Sequence, residues 1–332
     1  MNFTILGAGT WGTALAQVLV DNGHDVLLYH FDQTIVDDIN LDHKNRLYFE
    51  NVELNNDLRA TTSLKEAMEH AENILLCVPS KNLQELLNDA FPFMHHKYNF
   101  INTIKGLVGE ENELIIQYLH NIIPEKYVNS ISSIIGPSHA EEVILRKYTA
   151  VCFVNKDIHI AKTMQTCFSN SYFRVYALTD EIGSEFAASY KNAIAIGSGI
   201  IAGLNFGDNT KAAYITRGLA EMMMFGKKLG GHTKTFIGLT GVGDLLVTCN
   251  SVHSRNFSFG YEIGVKKSVE EVVKNNTKTV EGYKTVYSLY YLAKKYKQST
   301  PLIDFLYGIL YEGKNLEEEI QKLMLRPLKP EF

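Results

Sequence analysis

Residues 2–29 read NFTILGAGTWGTALAQVLVDNGHDVLLY, and this stretch decides the fold of the first half of the chain. Asn2 to Leu6 is a short apolar run that ends at Gly7-Ala8-Gly9-Thr10-Trp11-Gly12, a G-x-G-x-x-G spacing. A helical pattern follows at once and stops at Gly23, where a C′ glycine belongs. Asp25 to Tyr29 is then a second strand. Gly7 makes the turn, Gly9 lets the backbone approach a pyrophosphate, and Gly12 lets helix and strand pack closely. The N-terminus of the helix turns its N–H groups to the phosphates. Strand, glycine loop, helix and strand together predict a dinucleotide site.

The residues after the second strand bear on the choice of dinucleotide. They are His30-Phe31-Asp32, with Asp32 twenty positions beyond Gly12. A carboxylate here binds the ribose 2′-OH of NAD, whereas an arginine would accept the 2′-phosphate of NADP. Asp32 reads equally well as the cap of the following helix, QTIVDDIN. With no arginine or lysine among the three, the sequence leans to NAD(H) over NADP(H).

Further alternation follows. Ser63-Leu64-Lys65-Glu66 has the form of a capping box. Asn73 to Val78, Asn99 to Ile104 and Asn129 to Ile135 read as buried strands, and HAEEVILRK (139–147) reads as a helix after the last of them. Two more strand-like runs, Ala150 to Val154 and Phe173 to Tyr176, flank another helix. The pattern predicts an α/β domain with a Rossmann-like doubly wound sheet over residues 1–179. Pro79-Ser80, Lys105-Gly106 and Gly136-Pro137-Ser138 each follow a strand end. In a parallel sheet those ends share the edge of the glycine loop, where ligands bind.

Beyond Asp180 the strand signals vanish, and residues 180–332 predict an all-helical substrate and catalytic domain. It is entered through EIGSEFAASYKNAIAIGSGIIAGL (181–204), in which Lys191 is the one charge between Glu185 and Asp208. Lysine on a helix buried nearly all round is costly unless paired, and suits an acid or base role. The plainer reading is a lysine that snorkels to the surface. Two segments between the helices, Gly238 to Thr248 with Asp244, and Ser254-Arg255-Asn256, are rich in glycine and polar groups. They offer donors suited to a phosphate or polyol.

The 332 residues suggest two domains, and a net charge of −5 argues against nucleic-acid or anionic-membrane partners. Cys77, Cys152, Cys167 and Cys249 form no CxxC pair, which predicts reduced, mostly buried thiols and no zinc site. The chain opens directly on a strand, without a signal-peptide pattern, so a cytoplasmic location is expected. No histidine spacing suggests a metal. A homodimer through the helical half is compatible with the sequence.

The blocks GAGTWGTALA (from Gly7), KGL (from Lys105), GPSHAEEV (from Gly136), KNAIAIGSGI (from Lys191), GDNTKAA (from Gly207), TRGLAEM (from Thr216), GVGDLLVTC (from Gly241), HSRN (from His253) and VEG (from Val280) carry a resemblance. Over essentially its full length the chain resembles the bacterial-type NAD(P)-dependent sn-glycerol-3-phosphate dehydrogenases. That family reduces dihydroxyacetone phosphate to sn-glycerol 3-phosphate, the backbone precursor of phospholipids. The resemblance implies that Lys191 is the catalytic acid/base and that Lys105 touches both substrate and cofactor. It places Gly136, Ser138, Asn192, Asp244, Thr248, Ser254, Arg255 and Asn256 around the substrate. Thr10, Trp11, Ala140, Arg255 and Glu281 fall to the cofactor, with Gly7, Gly9, Gly12, His30, Phe31 and Asp32. Phe31 departs from the family, which often has a basic residue or histidine there. The alternatives are a related 2-hydroxy-acid or ketopantoate-type dehydrogenase, whose carboxylate clamp the HSRN block does not supply, and a non-catalytic NAD(H) sensor.

Overall fold

A computed structural model describes residues 1–109, 111–276, 280–328 and 330–331. The described chain divides into two compact units, Met1–Glu185 and Phe186–Phe332. The first alternates strands and helices in the order β1 (Asn2–Leu6), α1 (Thr10–Asp21), β2 (Asp25–Tyr29), α2 (Gln33–Asp42), β3 (Arg59–Thr61), α3 (Leu64–His70), β4 (Asn73–Leu76), α4 (Leu83–Ala90) and β5 (Tyr98–Asn102). It continues with β6 (Leu107–Val108), β7 (Glu113–Leu114), α5 (Ile115–Ile122), β8 (Val128–Ile135), α6 (Ala140–Val143), β9 (Thr149–Val154), α7 (Ile158–Phe168) and β10 (Phe173–Leu178).

The main sheet has eight strands in the order β10-β9-β8-β5-β4-β1-β2-β3. From β3 to β8 all neighbours are parallel, so the ends of β1, β4, β5 and β8 share one edge, as the sequence predicts. Central strands such as β4 are buried throughout, which is why Asn73 to Leu76 reads as an unbroken apolar run rather than an alternation. Phe3, Ile5, Ala14, Leu15, Val18 and Leu19 bring β1 and α1 into one core. Each large side chain so enclosed contributes about 2 kcal/mol.

Several expectations need correction. β9 runs antiparallel to β8, and β10 pairs parallel with β9, so the last two strands reverse the direction of the rest. The predicted helix over 139–147 shrinks to α6, because the chain turns at Arg146 with φ 55°. Ser63 caps α3 by accepting from Glu66 N–H, but the Glu66 carboxylate bonds Thr61 Oγ1 instead of closing the box. β3, β6, β7 and α5 have no counterpart in the sequence reading. The cysteines are free thiols, and burial pushes Cys77 and Cys249 up to about 12 and Cys152 to about 11.

Helix α8 (Glu181–Gly203) begins in the first unit and continues into the second. Beyond it come α9 (Gly207–Lys228), α10 (Thr233–Phe236), α11 (Asp244–Asn250), α12 (Arg255–Lys266), α13 (Val269–Asn275), α14 (Glu281–Lys295), α15 (Pro301–Glu312) and α16 (Leu316–Met324). Residues Leu239–Gly243 form a π-helical turn that runs straight into α11, so the glycine-rich segment is helical and not an inter-helix loop. A Cβ on Gly241 would fall 2.0 Å from the Phe236 carbonyl oxygen. Close packing, not turn chemistry, explains that glycine. Ser254-Arg255-Asn256 likewise opens α12, with Ser254 as its cap.

Helices α8 and α12 press backbone against backbone. A Cβ on Gly199 or Gly203 would meet the carbonyl oxygens of Phe257 and Tyr261 at 2.1 and 2.3 Å. One on Gly260 or Gly264 would meet those of Ile196 and Ile200 at 2.0 and 2.4 Å. Glycines four apart on both helices therefore make the crossing possible. No single helix among the described residues is long and apolar enough to cross a membrane.

Candidate active site

In the first unit the glycine loop is built as its spacing predicts. Gly7 has φ 120°, and a Cβ there would lie 2.5 Å from the Cys77 carbonyl oxygen. A Cβ on Gly12 would lie 1.9 Å from the Gly7 carbonyl oxygen, so the loop closes only on bare glycine. Above Gly9 the space is open. The first intrahelical bond of α1 is Thr13 N–H to Gly9 O at 3.0 Å, which leaves the amides of Thr10, Trp11 and Gly12 at the mouth of the helix. Trp11 Nε1 is buried with no acceptor among the described residues. Open space over the middle glycine, helix-start donors and an orphaned indole N–H fit a bound dinucleotide. Asn45, which the sequence reading passed over, is fully buried and donates to Ala8 O at 3.0 Å, pinning the loop from below.

At the end of β2, Asp32 caps α2 by accepting from Thr34 N–H at 2.9 Å, so the capping role is realised. His30 is buried, and its Nδ1 accepts the Asp32 N–H at 3.1 Å. Burial lowers the His30 pKa, with the Asp32 charge and hydrogen bond acting against it. An Nδ1 that accepts cannot carry a proton, so this bond belongs to the neutral ring. Phe31 stacks on His30 with ring centroids 4.5 Å apart and is 81% exposed. Farther along the same sheet edge, Lys105 Nζ donates to Gly136 O at 3.3 Å and Ser138 Oγ donates to that same carbonyl at 3.0 Å. Gly136 is forced by its neighbour: a Cβ there would sit 2.8 Å from Val151 Cα on the reversed strand β9. Ala140 is buried at the start of α6.

In the second unit Lys191 does not snorkel. It is 5% exposed, and its Nζ lies 2.5 Å from Asp244 Oδ1 and 2.9 Å from Thr248 Oγ1. Asp244 and Thr248 are one turn apart on α11, which the π-helical turn delivers to α8. Thr248 Oγ1 donates to Asp244 O at 2.6 Å, so its lone pair is left for the lysine. Burial disfavours an ammonium while the adjacent carboxylate favours it. The next residue, Asn192, accepts from Asn256 Nδ2 at 3.0 Å, and Asn256 Oδ1 accepts from Gly282 N–H at 2.8 Å. That relay ties α8, α12 and the start of α14, where Glu281 stands. Ser254 Oγ is engaged with Phe257 N–H at 3.2 Å as the helix cap, while Arg255 beside it is exposed.

Two acids escaped the sequence reading. Glu185 is buried at the ends of β5 and β8, held by Asn102, Ser133 and Ile116. Glu221 on α9 accepts from Tyr190 Oη at 2.6 Å and from the amides of Leu302 and Ile303 that open α15. Burial pushes its carboxyl up to about 7 against those donors. For Glu185 the available signal was an acid at the head of the apolar run of α8, whereas Glu221 shares α9 with Asp208, Lys211, Arg217, Lys227 and Lys228 and carried no such signal.

The amino-terminal part of the chain, residues 2–197, matches the family described as NAD-dependent glycerol-3-phosphate dehydrogenase N-terminus. Residues 180–321 match the corresponding C-terminus family. The chain belongs to the NAD-dependent glycerol-3-phosphate dehydrogenase family. A glycerol-3-phosphate dehydrogenase of Bacillus pumilus, named for NAD(P)+, is 43% identical over 97% of this chain and 94% of its own length. The crystal structure of glycerol-3-phosphate dehydrogenase from Coxiella burnetii superposes with a TM-score of 0.89 at 34% identity, covering 98% of this chain and 99% of that one. A putative 2-dehydropantoate 2-reductase from Enterococcus faecalis reaches a TM-score of 0.51 at 13% identity, over 96% of this chain and 99% of that one. That likeness concerns the fold alone. Both family halves lie in this one chain, in the order of the two units.

Proposed function

We propose that this protein reversibly reduces dihydroxyacetone phosphate to sn-glycerol 3-phosphate with NAD(P)H, in the cytoplasm, for glycerophospholipid synthesis. The observation that carries the reading is the buried Lys191–Asp244 pair in a member of this family. Residues 1–179 serve as the dinucleotide-binding domain and 180–332 as the substrate and catalytic domain. The substrate is a small molecule.

When bound, the reduced nicotinamide supplies a hydride to the ketone carbon. Negative charge then grows on the carbonyl oxygen, and Lys191 Nζ delivers a proton there as general acid. In the reverse direction the neutral amine accepts it. Asp244 and Thr248 fix the amine in place, so its geometry is set before substrate arrives. Arg255 presents a forked donor to the phosphate, remote from the reacting carbon, with Ser254 and Asn256 beside it. Asn192, Lys105, Gly136 and Ser138 complete the substrate contacts. Gly7, Gly9, Thr10, Trp11, Gly12, Ala140, Glu281, Lys105 and Arg255 hold the cofactor.

The preference is for NAD(H). A neutral His30 gives a 2′-phosphate no charge, Phe31 offers none, and Asp32 repels it. Initial rates of dihydroxyacetone phosphate reduction with NADH and NADPH in parallel test both points. Rapid NADH oxidation with slower NADPH turnover is expected. Equal rates would remove the cofactor preference, and no oxidation of either would remove the function.

A further inference from the structure

Glu185 lies in the second turn of α8 and has no part in the chemistry above. Its carboxylate is 3% exposed and gripped by three donors. Oε1 accepts from Asn102 Nδ2 at 2.7 Å and from Ser133 Oγ at 2.6 Å, and Oε2 accepts from Ile116 N–H at 2.9 Å. A buried carboxylate kept this fully bonded is an expensive arrangement for packing alone.

Two of those donors bracket one stretch of chain. Asn102 is the last residue of β5, Ile116 is the second of α5, and Lys105 lies between them. Asn102 passes the grip onward: its Oδ1 accepts Ile104 N–H at 2.8 Å and its Nδ2 reaches Ile104 O at 3.3 Å. The residue just before Lys105 thus has both backbone polar groups on the side chain that Glu185 holds. At the other end α5 begins after Leu114, which has no side-chain oxygen for the first amides of the helix. Glu185 supplies that acceptor, with its charge at the favourable end of the helix dipole. Ser133, the third donor, stands three residues before Gly136, whose carbonyl accepts from Lys105 Nζ.

We propose that Glu185 is a positioning residue for Lys105, buckling both ends of the segment that carries it and the strand that carries its carbonyl partner. The inference rests on the reading of Lys105 as a substrate contact. One carboxylate does what an amide cannot. In Glu185→Gln the single oxygen serves either Asn102 or Ile116, and the NH2 group meets a donor at the other. One end of the buckle must open.

The test is a double-mutant cycle on dihydroxyacetone phosphate reduction with Lys105→Ala, Glu185→Gln and the double variant. Melting temperatures are recorded in parallel. Glu185→Gln should lower kcat/KM by on the order of ten- to a hundredfold, and most of that loss should vanish in the Lys105→Ala background. Asn102→Ala, which opens only the β5 end and leaves Ser133 and Ile116 on Glu185, should show the same coupling should Glu185→Gln not fold. Full losses that simply multiply, or a Glu185→Gln enzyme with unaltered kcat/KM beside an impaired Lys105→Ala, overturn the inference alone. An unimpaired Lys105→Ala overturns the reading beneath it, and the inference with it.

Discussion

Lys191 and Asp244 meet at 2.5 Å with both side chains enclosed, the aspartate only 1% exposed. Breaking such a pair by removing one partner leaves the other charge buried without compensation, typically at 3–5 kcal/mol. The pair is therefore both a fold element and the proposed proton donor. Lys191→Ala should lower turnover by a factor of about 10² to 10⁴. Cofactor binding, followed by NADH fluorescence titration, should stay within about twofold. An active Lys191→Ala enzyme would remove the residue from catalysis.

Asp244→Asn separates the charge from the shape. Without the carboxylate the ammonium is less favoured, so the amine loses its proton at lower pH. With Lys191 as the proposed acid, reduction needs the protonated form, and the alkaline limb of its pH–rate profile should move toward lower pH. An unmoved limb with reduced kcat would assign Asp244 to packing alone.

Arg255→Lys keeps the charge at the start of α12 and removes the fork. The KM for dihydroxyacetone phosphate should rise on the order of tenfold while kcat changes little. Steady-state kinetics at saturating NADH separate the two. Unchanged KM would place the phosphate elsewhere.

Phe31→Arg puts a cation where the present chain has a stacked, exposed ring. The ratio of NADPH to NADH efficiency should rise, by roughly tenfold or more for a charge-assisted contact. Competition assays with the two cofactors measure it.

Glu221 gives a pH effect on stability. Its carboxyl is pushed up from 4.5 to about 7 by burial, so the folded chain holds a proton there that the unfolded chain has released between those values. Stability from this group is fully present below about pH 4.5 and is lost as pH rises through 7, on the order of 3 kcal/mol at most. The melting temperature of the wild type should fall more steeply between pH 5 and 8 than that of Glu221→Gln. Parallel slopes would contradict the assignment.

The sequence carried the nucleotide-binding loop because its constraint is local: Gly7 and Gly12 touch one another across five residues, and the spacing records it. Lys191 was readable for a related reason, since a charge in an apolar helix is conspicuous whatever surrounds it. The direction of β9 was not, because hydrophobic runs carry no arrow. Gly238 to Gly243 looked like a loop because glycine signals turn and tight packing alike, and only the Phe236 carbonyl beside Gly241 distinguishes them. Ser254 looked like a free ligand donor, and its bond to Phe257 N–H depends on a helix start the polar composition obscured. Glu185 went unnoticed because its partners lie 52 to 83 residues away in the chain.

The crossing of α8 and α12 sets how the enzyme tolerates change. α8 carries Lys191 and Asn192, and α12 begins at Arg255 and Asn256. Gly199, Gly203, Gly260 and Gly264 hold the two backbones closer than any methyl group allows. Alanine at one of them should wedge the helices apart and carry Lys191, the proposed proton donor, away from Arg255, the proposed phosphate contact. A survey that ranked positions by lost turnover should score these glycines with the proposed reactive side chains, although none of them has a side chain of its own. For this half of the molecule, mutational sensitivity is expected to map backbone proximity as well as chemistry.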